Sequence, residues 1–193
     1  MKKHAFLLAL CVTAAFCLRA QNNRFPSIDK SPLDISFYPV NYPVLKIQNK
    51  ATEPLLARVI YSRPQKNGRV VFGELVEFGK VWRLGANEAT EIELYKDVKV
   101  GGNKLKKGRY TLYAIPYTDN KWTIIFNKET DIWGAFQYDQ KKDVLRIDVR
   151  TEKISDPAEA FTMAFEKANG GSAANLMIAW DDVMAKLPLS WEP

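Results

Sequence analysis

The chain has 193 residues, with 28 Lys and Arg against 22 Asp and Glu, two Cys and a single His. His4, Cys11 and Cys17 all lie in Met1–Ala20, which has the plan of a cleavable secretory signal peptide: a basic start, an apolar run and a small residue before the cut. Cleavage after Ala20 leaves a chain without His or Cys. This excludes a Ser-His-Asp triad, a cysteine nucleophile, a disulfide, and a zinc or haem site built on those residues.

The same cleavage lowers the net charge, because three basic residues leave with the leader and no acidic residue does. The mature chain then carries 25 basic and 22 acidic residues, a net charge of +3. So small an excess, scattered among acids without a basic arm, does not predict nucleic-acid binding. The apolar run of the leader, from Ala5 to Leu18, is shorter than the ~20 residues of a membrane-spanning helix. We therefore expect no membrane span in the mature chain and export to the periplasm or cell surface.

After the leader, residues 21–42 contain several Pro and polar residues and predict an extended lead-in. Residues 43–193 predict one domain of short strands separated by turns. Strands are expected at 55–61, 91–95, 97–100, 109–115, 121–126 and 144–150. Gly101-Gly102 predicts a hairpin turn. In 144–150, the Leu145, Ile147 and Val149 face is expected in the core. The pattern is typical of an all-β, antiparallel β-sandwich that is jelly-roll-like.

The C-terminal quarter contains two competing patterns. Asp156-Pro157 followed by Glu159 is typical of a helix start, and the apolar residues of 157–168 keep a helical spacing. However, Phe161, Met163 and Phe165 also alternate as in a strand. Periodicity alone slightly favours a helix over 157–168, and 175–187 shows the same conflict.

The region 61–90 concentrates Gly, Arg, Trp, amide and carboxylate residues. Arg supplies a planar fork for carboxylate or phosphate, and Trp stacks on a sugar ring or a cation. A ligand pocket built here would consist of Arg63, Trp82, Arg83, Asn87 and Glu88. The alternative is structural, with the two Arg residues paired to Glu74 or Glu88 so that they hold an irregular loop in place.

Other chemistry is less well supported by the residues. Hydrolysis by two carboxylates needs two acids facing one cleft, and Glu74 with Glu88 is the candidate pair. No metal site is predicted, because no set of acids has the spacing of a calcium loop, and no cofactor motif is present. Four aromatic residues could form a sugar-binding platform, although such residues more often belong to the core of a sandwich: Trp122, Trp133, Phe136 and Tyr138. The core interpretation is favoured, with Trp133-Gly134-Ala135-Phe136 as a connection whose aromatic side chains fold inward.

Eight motifs of the domain form a distinctive set: Tyr61–Pro64, Gly68-Arg69, Phe72–Val76, Gly79–Arg83, Gly85–Thr90, Leu105–Leu112, Trp122–Asn127 and Trp133–Phe136. With a further match at Ala179-Trp180 through Leu187-Pro188, they resemble the DUF2911 family, a domain of unknown function found in secreted proteins of Bacteroidota-type bacteria. The resemblance covers roughly residues 50–190 and implies an export signal followed by an all-β domain. It also implies strands at 159–166, 175–180 and 183–187 instead of a helix. It implies no activity.

Three hypotheses of function follow from the residues. The first is a non-catalytic module that binds a saccharide or another small polar or anionic ligand through the five pocket residues. The second is a structural or envelope-assembly protein without a small ligand. The third is a glycoside hydrolase or lyase that uses Glu74 and Glu88. The residues favour the binding module, and an enzyme has the least support because no carboxylate pair is placed by spacing.

Overall fold

The computed structural model describes residues 25–169 and 172–192, and the predicted signal peptide lies outside them. The strands are β1 (Leu33–Tyr38), β2 (Ala57–Ser62), β3 (Glu91–Leu94), β4 (Val98–Val100), β5 (Asn103–Leu105), β6 (Gly108–Tyr117), β7 (Lys121–Asn127), β8 (Asp143–Lys167) and β9 (Ala173–Ser190). A short helix, α1, covers Tyr42–Ile47, and a 3-10 turn covers Gln140–Lys142. Within these ranges, no helix has the length and apolar character needed to cross a bilayer.

All of the strand pairs are antiparallel, in the order β1-β2-β3-β6-β7-β8-β9-β4-β5. β8 joins the strands β1-β2-β3-β6-β7 to the strands β9-β4-β5. Its first part, up to Arg150, pairs with β7, and its second part, from Thr151 on, pairs with β9. The main core takes buried side chains from both sets of strands. The prediction of an all-β, antiparallel, sandwich-like fold is therefore confirmed.

The alternation of apolar residues explains β8 and decides the ambiguous tail. Leu145 and Ile147 pack on the core and Val149 is buried, as predicted. Further along, Phe161, Met163 and Phe165 are all buried on the same strand. The helix that periodicity favoured over 157–168 is therefore wrong, and the strands implied by the family resemblance are present. Pro157, which suggested a helix start, lies where the β8–β9 register is interrupted between Lys153 and Ala158, a position where a strand tolerates Pro.

The segment predicted as a lead-in contains part of the folded domain. Six residues of β1 pair with β2, from Leu33 opposite Ser62 to Tyr38 opposite Ala57. The ring of Tyr38 stacks on Trp191 at 5.1 Å, and its hydroxyl donates to the Ala173 carbonyl at 2.8 Å. Residues from 33 onward thus contribute to the sheet and the core, because pairing and burial compensate for the Pro-rich composition around them.

A smaller apolar cluster covers the opposite face of β6 and β7. Tyr113, Ile115 and Ile125 belong to it, and the segment 128–142 packs against them through residues that include Ile132, Ala135 and Tyr138. The aromatic residues of the 133–136 motif do not fold inward as predicted: Trp133 is 60% exposed and Phe136 is 86% exposed. Ile132 and Ala135 take the inward positions instead, since the chain turns at Gly134 with a φ of 71°.

Candidate functional site

The predicted pocket residues lie on a loop that continues the sheet beside β6. Trp82 exchanges two backbone hydrogen bonds with Ala114, at 2.7 and 2.8 Å. The chain then turns sharply at Leu84 and Gly85, which have φ values of 54° and 140°. The Ser62 hydroxyl accepts from the Ala86 amide at 2.7 Å and donates to the Ala86 carbonyl. These two hydrogen bonds tie the turn to the end of β2, so the loop has a defined shape.

Trp82 is a core residue, with 7% of its surface exposed. Its ring stacks on Trp180 at 6.0 Å, and the edges of Trp122 and Phe161 pack against it at 5.8 and 5.2 Å. Its indole nitrogen donates to the Gly85 carbonyl at 3.2 Å. The ring that sequence analysis assigned to ligand stacking is thus surrounded by protein and offers no open face.

Arg63 is also occupied by contacts within the protein. Its Nε donates to the Phe161 carbonyl at 3.2 Å, one terminal nitrogen pairs with Asp34 at 3.0 Å, and the other donates to the Thr162 hydroxyl at 2.9 Å. The guanidinium therefore joins β1, β2 and β8. The structural alternative expected Glu74 or Glu88 as the acidic partner of Arg63, whereas the partner in the structure is Asp34.

Arg83 has a different environment. By alternation it lies on the side of the extended segment opposite to Trp82, the side on which Val81 packs with Tyr113. It is half-buried, and its Nε is buried without a hydrogen-bond acceptor. Burial lowers the pKa of the guanidinium from its ordinary value. Within the described ranges no carboxylate forms an ion pair with it, so a desolvated positive charge is left uncompensated.

Asn87 and Glu88 lie at the other end of the loop and meet the exposed aromatic segment. The Asn87 carbonyl accepts from the Gly134 amide at 2.9 Å, and Glu88 forms an antiparallel bridge with Trp133. The Asn87 side chain donates to Asp29 at 2.9 Å. Residues directly opposite in an antiparallel pair project to the same side, with Cβ atoms about 4.5–5.5 Å apart. The exposed Glu88 carboxylate and the exposed Trp133 ring therefore share one face.

The carboxylate pair proposed for hydrolysis is not brought together in the cleft that Glu88 lines. That cleft has a volume of about 120 Å³, and its other acidic residues are Glu91 and Asp131 rather than Glu74. Both of these are already engaged by Arg109. Glu74 is exposed on the turn at 73–75. Among the described residues, no group of three or more His, Cys, Asp or Glu side chains is placed to hold a metal ion.

A polar network that sequence analysis missed fastens the aromatic segment to the sheet. The Asp143 carboxylate accepts from the Tyr138 hydroxyl at 2.6 Å and from the Asn127 amide at 2.8 Å, and Arg146 pairs with it at 3.1 Å. Burial, followed by the bond to Asp143, raises the pKa of Tyr138 to about 12. The spacing of these residues along the chain gave no signal, because the network forms only when β7 and β8 pair.

Comparison with known proteins identifies one family. The family model described as "Protein of unknown function (DUF2911)" matches residues 45–189. No curated protein and no solved structure matches the chain.

Proposed function

We propose, from the premise that the chain belongs to the DUF2911 family of proteins of unknown function, that it is an exported, non-catalytic module that binds a small anionic saccharide. The site would consist of the loop 83–90 and the aromatic segment beside it, with Trp133 as the stacking residue. Trp82 and Arg63 support this site from beneath and do not touch the ligand.

The observation that carries the proposal is the exposed pair of Glu88 and Trp133. Sugar rings present apolar C–H groups on a face and hydroxyl groups at the edge, so an aromatic ring beside a carboxylate matches both. Trp133 is 60% exposed, and its backbone bridge to Glu88 directs the two side chains to the same side of the pair. An exposed Trp held by backbone pairing loses little conformational entropy when a ligand binds.

Arg83 supports the anionic character of the ligand. Arg83 is half-buried and forms no ion pair within the described residues, so a ligand carboxylate would offset its desolvation through charge-assisted hydrogen bonds to the exposed part of the guanidinium. A sugar acid combines such a carboxylate with a ring that can stack. Arg83 and Glu88 belong to the same loop, which is closed by the hydrogen bond from the Thr90 amide to the Arg83 carbonyl at 3.1 Å.

The test is a binding titration by isothermal calorimetry with galacturonate and with neutral galactose. We expect galacturonate to bind more tightly than galactose. Trp133→Ala should weaken both sugars by at least tenfold, in line with the energy of a stacked ring on an aromatic side chain. Arg83→Gln should remove the preference for galacturonate and leave the affinity for galactose within about threefold, since a charge contact carries the difference between the two sugars.

Phe136→Ala is the matched control, because Phe136 is an exposed aromatic residue of the same segment that does not lie opposite Glu88. It should change either affinity by less than about threefold. A loss equal to that of Trp133→Ala would contradict the arrangement. If a broad glycan array gives no binding to folded protein, the saccharide proposal fails and a structural role becomes the better explanation.

A further inference from the structure

A second site is formed by the β4–β5 hairpin and the end of β9. The hairpin turns at Gly101-Gly102, and its register places Val98 opposite Leu105 and Lys99 opposite Lys104. A cleft of about 380 Å³ lies here. It is lined by Lys96, Asp97, Val98, Lys99, Lys104, Leu105, Lys106, Ser190 and Glu192.

The charges of this cleft are unbalanced. Four lysines face two carboxylates, and each carboxylate is committed to one lysine: Asp97 to Lys106 at 2.8 Å and Glu192 to Lys99 at 2.9 Å. Lys96 and Lys104 form no ion pair within the described residues. The lining therefore carries a net charge of +2, and its two uncommitted ammonium groups belong to different parts of the same hairpin.

The register of the hairpin places two of these like charges directly opposite each other. Lys99 and Lys104 lie directly opposite each other, and like charges at such positions destabilise an antiparallel pair. Glu192 neutralises Lys99, and its pKa is lowered by the Lys99 bond and, to a smaller extent, by the charge of Lys104. The side chain of Glu192 is 68% exposed, so solvent screens much of this attraction.

The hairpin is held rigidly enough to present a preformed site. Its Gly101 amide donates to the Pro188 carbonyl at 2.9 Å. A Cβ at Gly101 would lie 1.9 Å from Ile147 Cδ1, so the turn is packed closely on β8. Val98 and Leu105 are 4% and 5% exposed and belong to the main core, so this pair anchors the hairpin. Lys99 and Lys104, the adjacent pair in the register, project to the opposite face. A cleft on a hairpin held in this way needs little reorganisation to bind a ligand.

We infer that this hairpin cleft binds a phosphomonoester, with Lys96 and Lys104 holding the phosphate. A phosphomonoester carries a charge of about −1.5 to −2 at pH 7 and three acceptor oxygens, which matches the +2 lining. Lysine binds phosphate as a point charge. The cleft volume falls within the range of small-molecule sites, about 300–1,000 Å³.

The test is a titration with glycerol 3-phosphate, a phosphomonoester without a sugar ring, followed by amide chemical-shift mapping, with glycerol as the uncharged comparison. We expect shifts confined to residues 96–106 and 190–192 with the phosphate, and none with glycerol. Lys96→Gln combined with Lys104→Gln should weaken binding at least tenfold. Lys128→Gln combined with Lys141→Gln is the matched control, because it removes the same charge from exposed lysines of the 128–142 segment, and it should change affinity by less than about twofold.

Vesicles of phosphatidylcholine with and without phosphatidic acid distinguish a lipid headgroup from a soluble ester. Cosedimentation that requires phosphatidic acid and is lost in the Lys96 and Lys104 double variant would assign the phosphate to a lipid. Equal loss of binding in both double variants would reduce the effect to net charge and overturn the site. Shifts centred on 83–90 and 131–136 would also overturn it, and they would leave the proposed saccharide site standing.

Discussion

Replacement of two tryptophans distinguishes the core from the candidate site. Trp82 and Trp133 both belong to Gly-containing motifs, yet they are 7% and 60% exposed. Trp82→Ala would leave a cavity between Trp180, Trp122 and Phe161, whose rings pack on Trp82 within 6.0 Å. It would also remove the donor to the Gly85 carbonyl. We expect this variant to lose stability, whereas Trp133→Ala should lose ligand binding.

The size of the effect follows from the burial of the ring. A buried Trp or Phe replaced by Ala costs about 3–5 kcal/mol of unfolding free energy, and the orphaned Gly85 carbonyl places Trp82→Ala in the upper part of that range. For a chain of this size each kcal/mol lowers the melting temperature by about 2–4 °C. Trp82→Ala should therefore melt roughly 8–20 °C below the wild type. Trp133→Ala is a surface substitution and should stay within about 0.5 kcal/mol of the wild type.

The assay is urea denaturation followed by circular dichroism, with thermal melting as the second measurement. Both variants are compared with the wild type in the same buffer without ligand, because a bound ligand would raise the stability of the native state. A loss below about 1 kcal/mol for Trp82→Ala, together with loss of sugar binding, would refute the assignment of Trp82 to the core. It would restore Trp82 as a ligand residue.

Three further substitutions test the supports of the loop and the buried tyrosine. Gly85→Ala should destabilise the protein by about 2–4 kcal/mol, since its Cβ would lie 2.7 Å from the Ser62 hydroxyl and 3.1 Å from the Ser62 carbonyl oxygen. Gly68 also has a positive φ, but a Cβ there would meet open space. Gly68→Ala should therefore lower the free energy of unfolding clearly less in the same urea titration. Arg63→Lys keeps the charge but loses the fork that bonds β1 and β8, and a cost of about 1–2 kcal/mol is expected; no measurable cost would show that the fork is dispensable. Burial raises the pKa of Tyr113 from 10.0 to about 12. The neutral phenol therefore stabilises the fold fully below pH 10, and this stabilisation is lost as pH rises toward 12, because the unfolded chain releases the proton first. Tyr113→Phe should make the fall of unfolding free energy with pH shallower in this range, and an unchanged slope would contradict the assignment.

Local patterns were sufficient to predict most strands but not their tertiary roles. The alternation in 144–150 predicted which side of β8 enters the core, since a strand repeats its environment every two residues. It could not show that the same strand continues to Lys167 and changes partner from β7 to β9. The helix predicted over 157–168 failed for the same reason: the partner strand that selects the alternating pattern lies later in the chain.

The roles of the candidate site residues also depend on contacts with residues that are distant in the chain. The partner of Arg63 is Asp34, which lies in the segment predicted as a lead-in, so the structural role of Arg63 depended on β1 being part of the sheet. Trp82 and Trp133 have similar neighbours in sequence, and their burial is decided by pairing with Ala114 in one case and Glu88 in the other. Sequence analysis placed Trp82 in a ligand pocket and folded Trp133 inward, whereas the structure buries Trp82 and exposes Trp133.

The basic hairpin, by contrast, was accessible from the sequence. Residues 96–109 contain six basic residues and one acid, a net charge of +5, whereas residues 21–193 together carry +3. The other residues of 21–193 carry a net charge of −2, so the total conceals part of this local excess. The predicted turn at Gly101-Gly102 fixes the register of a two-residue hairpin and by itself places Lys99 opposite Lys104. Two like charges that a short turn places opposite each other destabilise the pair, and a bound anion would relieve this, so for this chain the register of the hairpin points to the proposed anion site where the net charge does not.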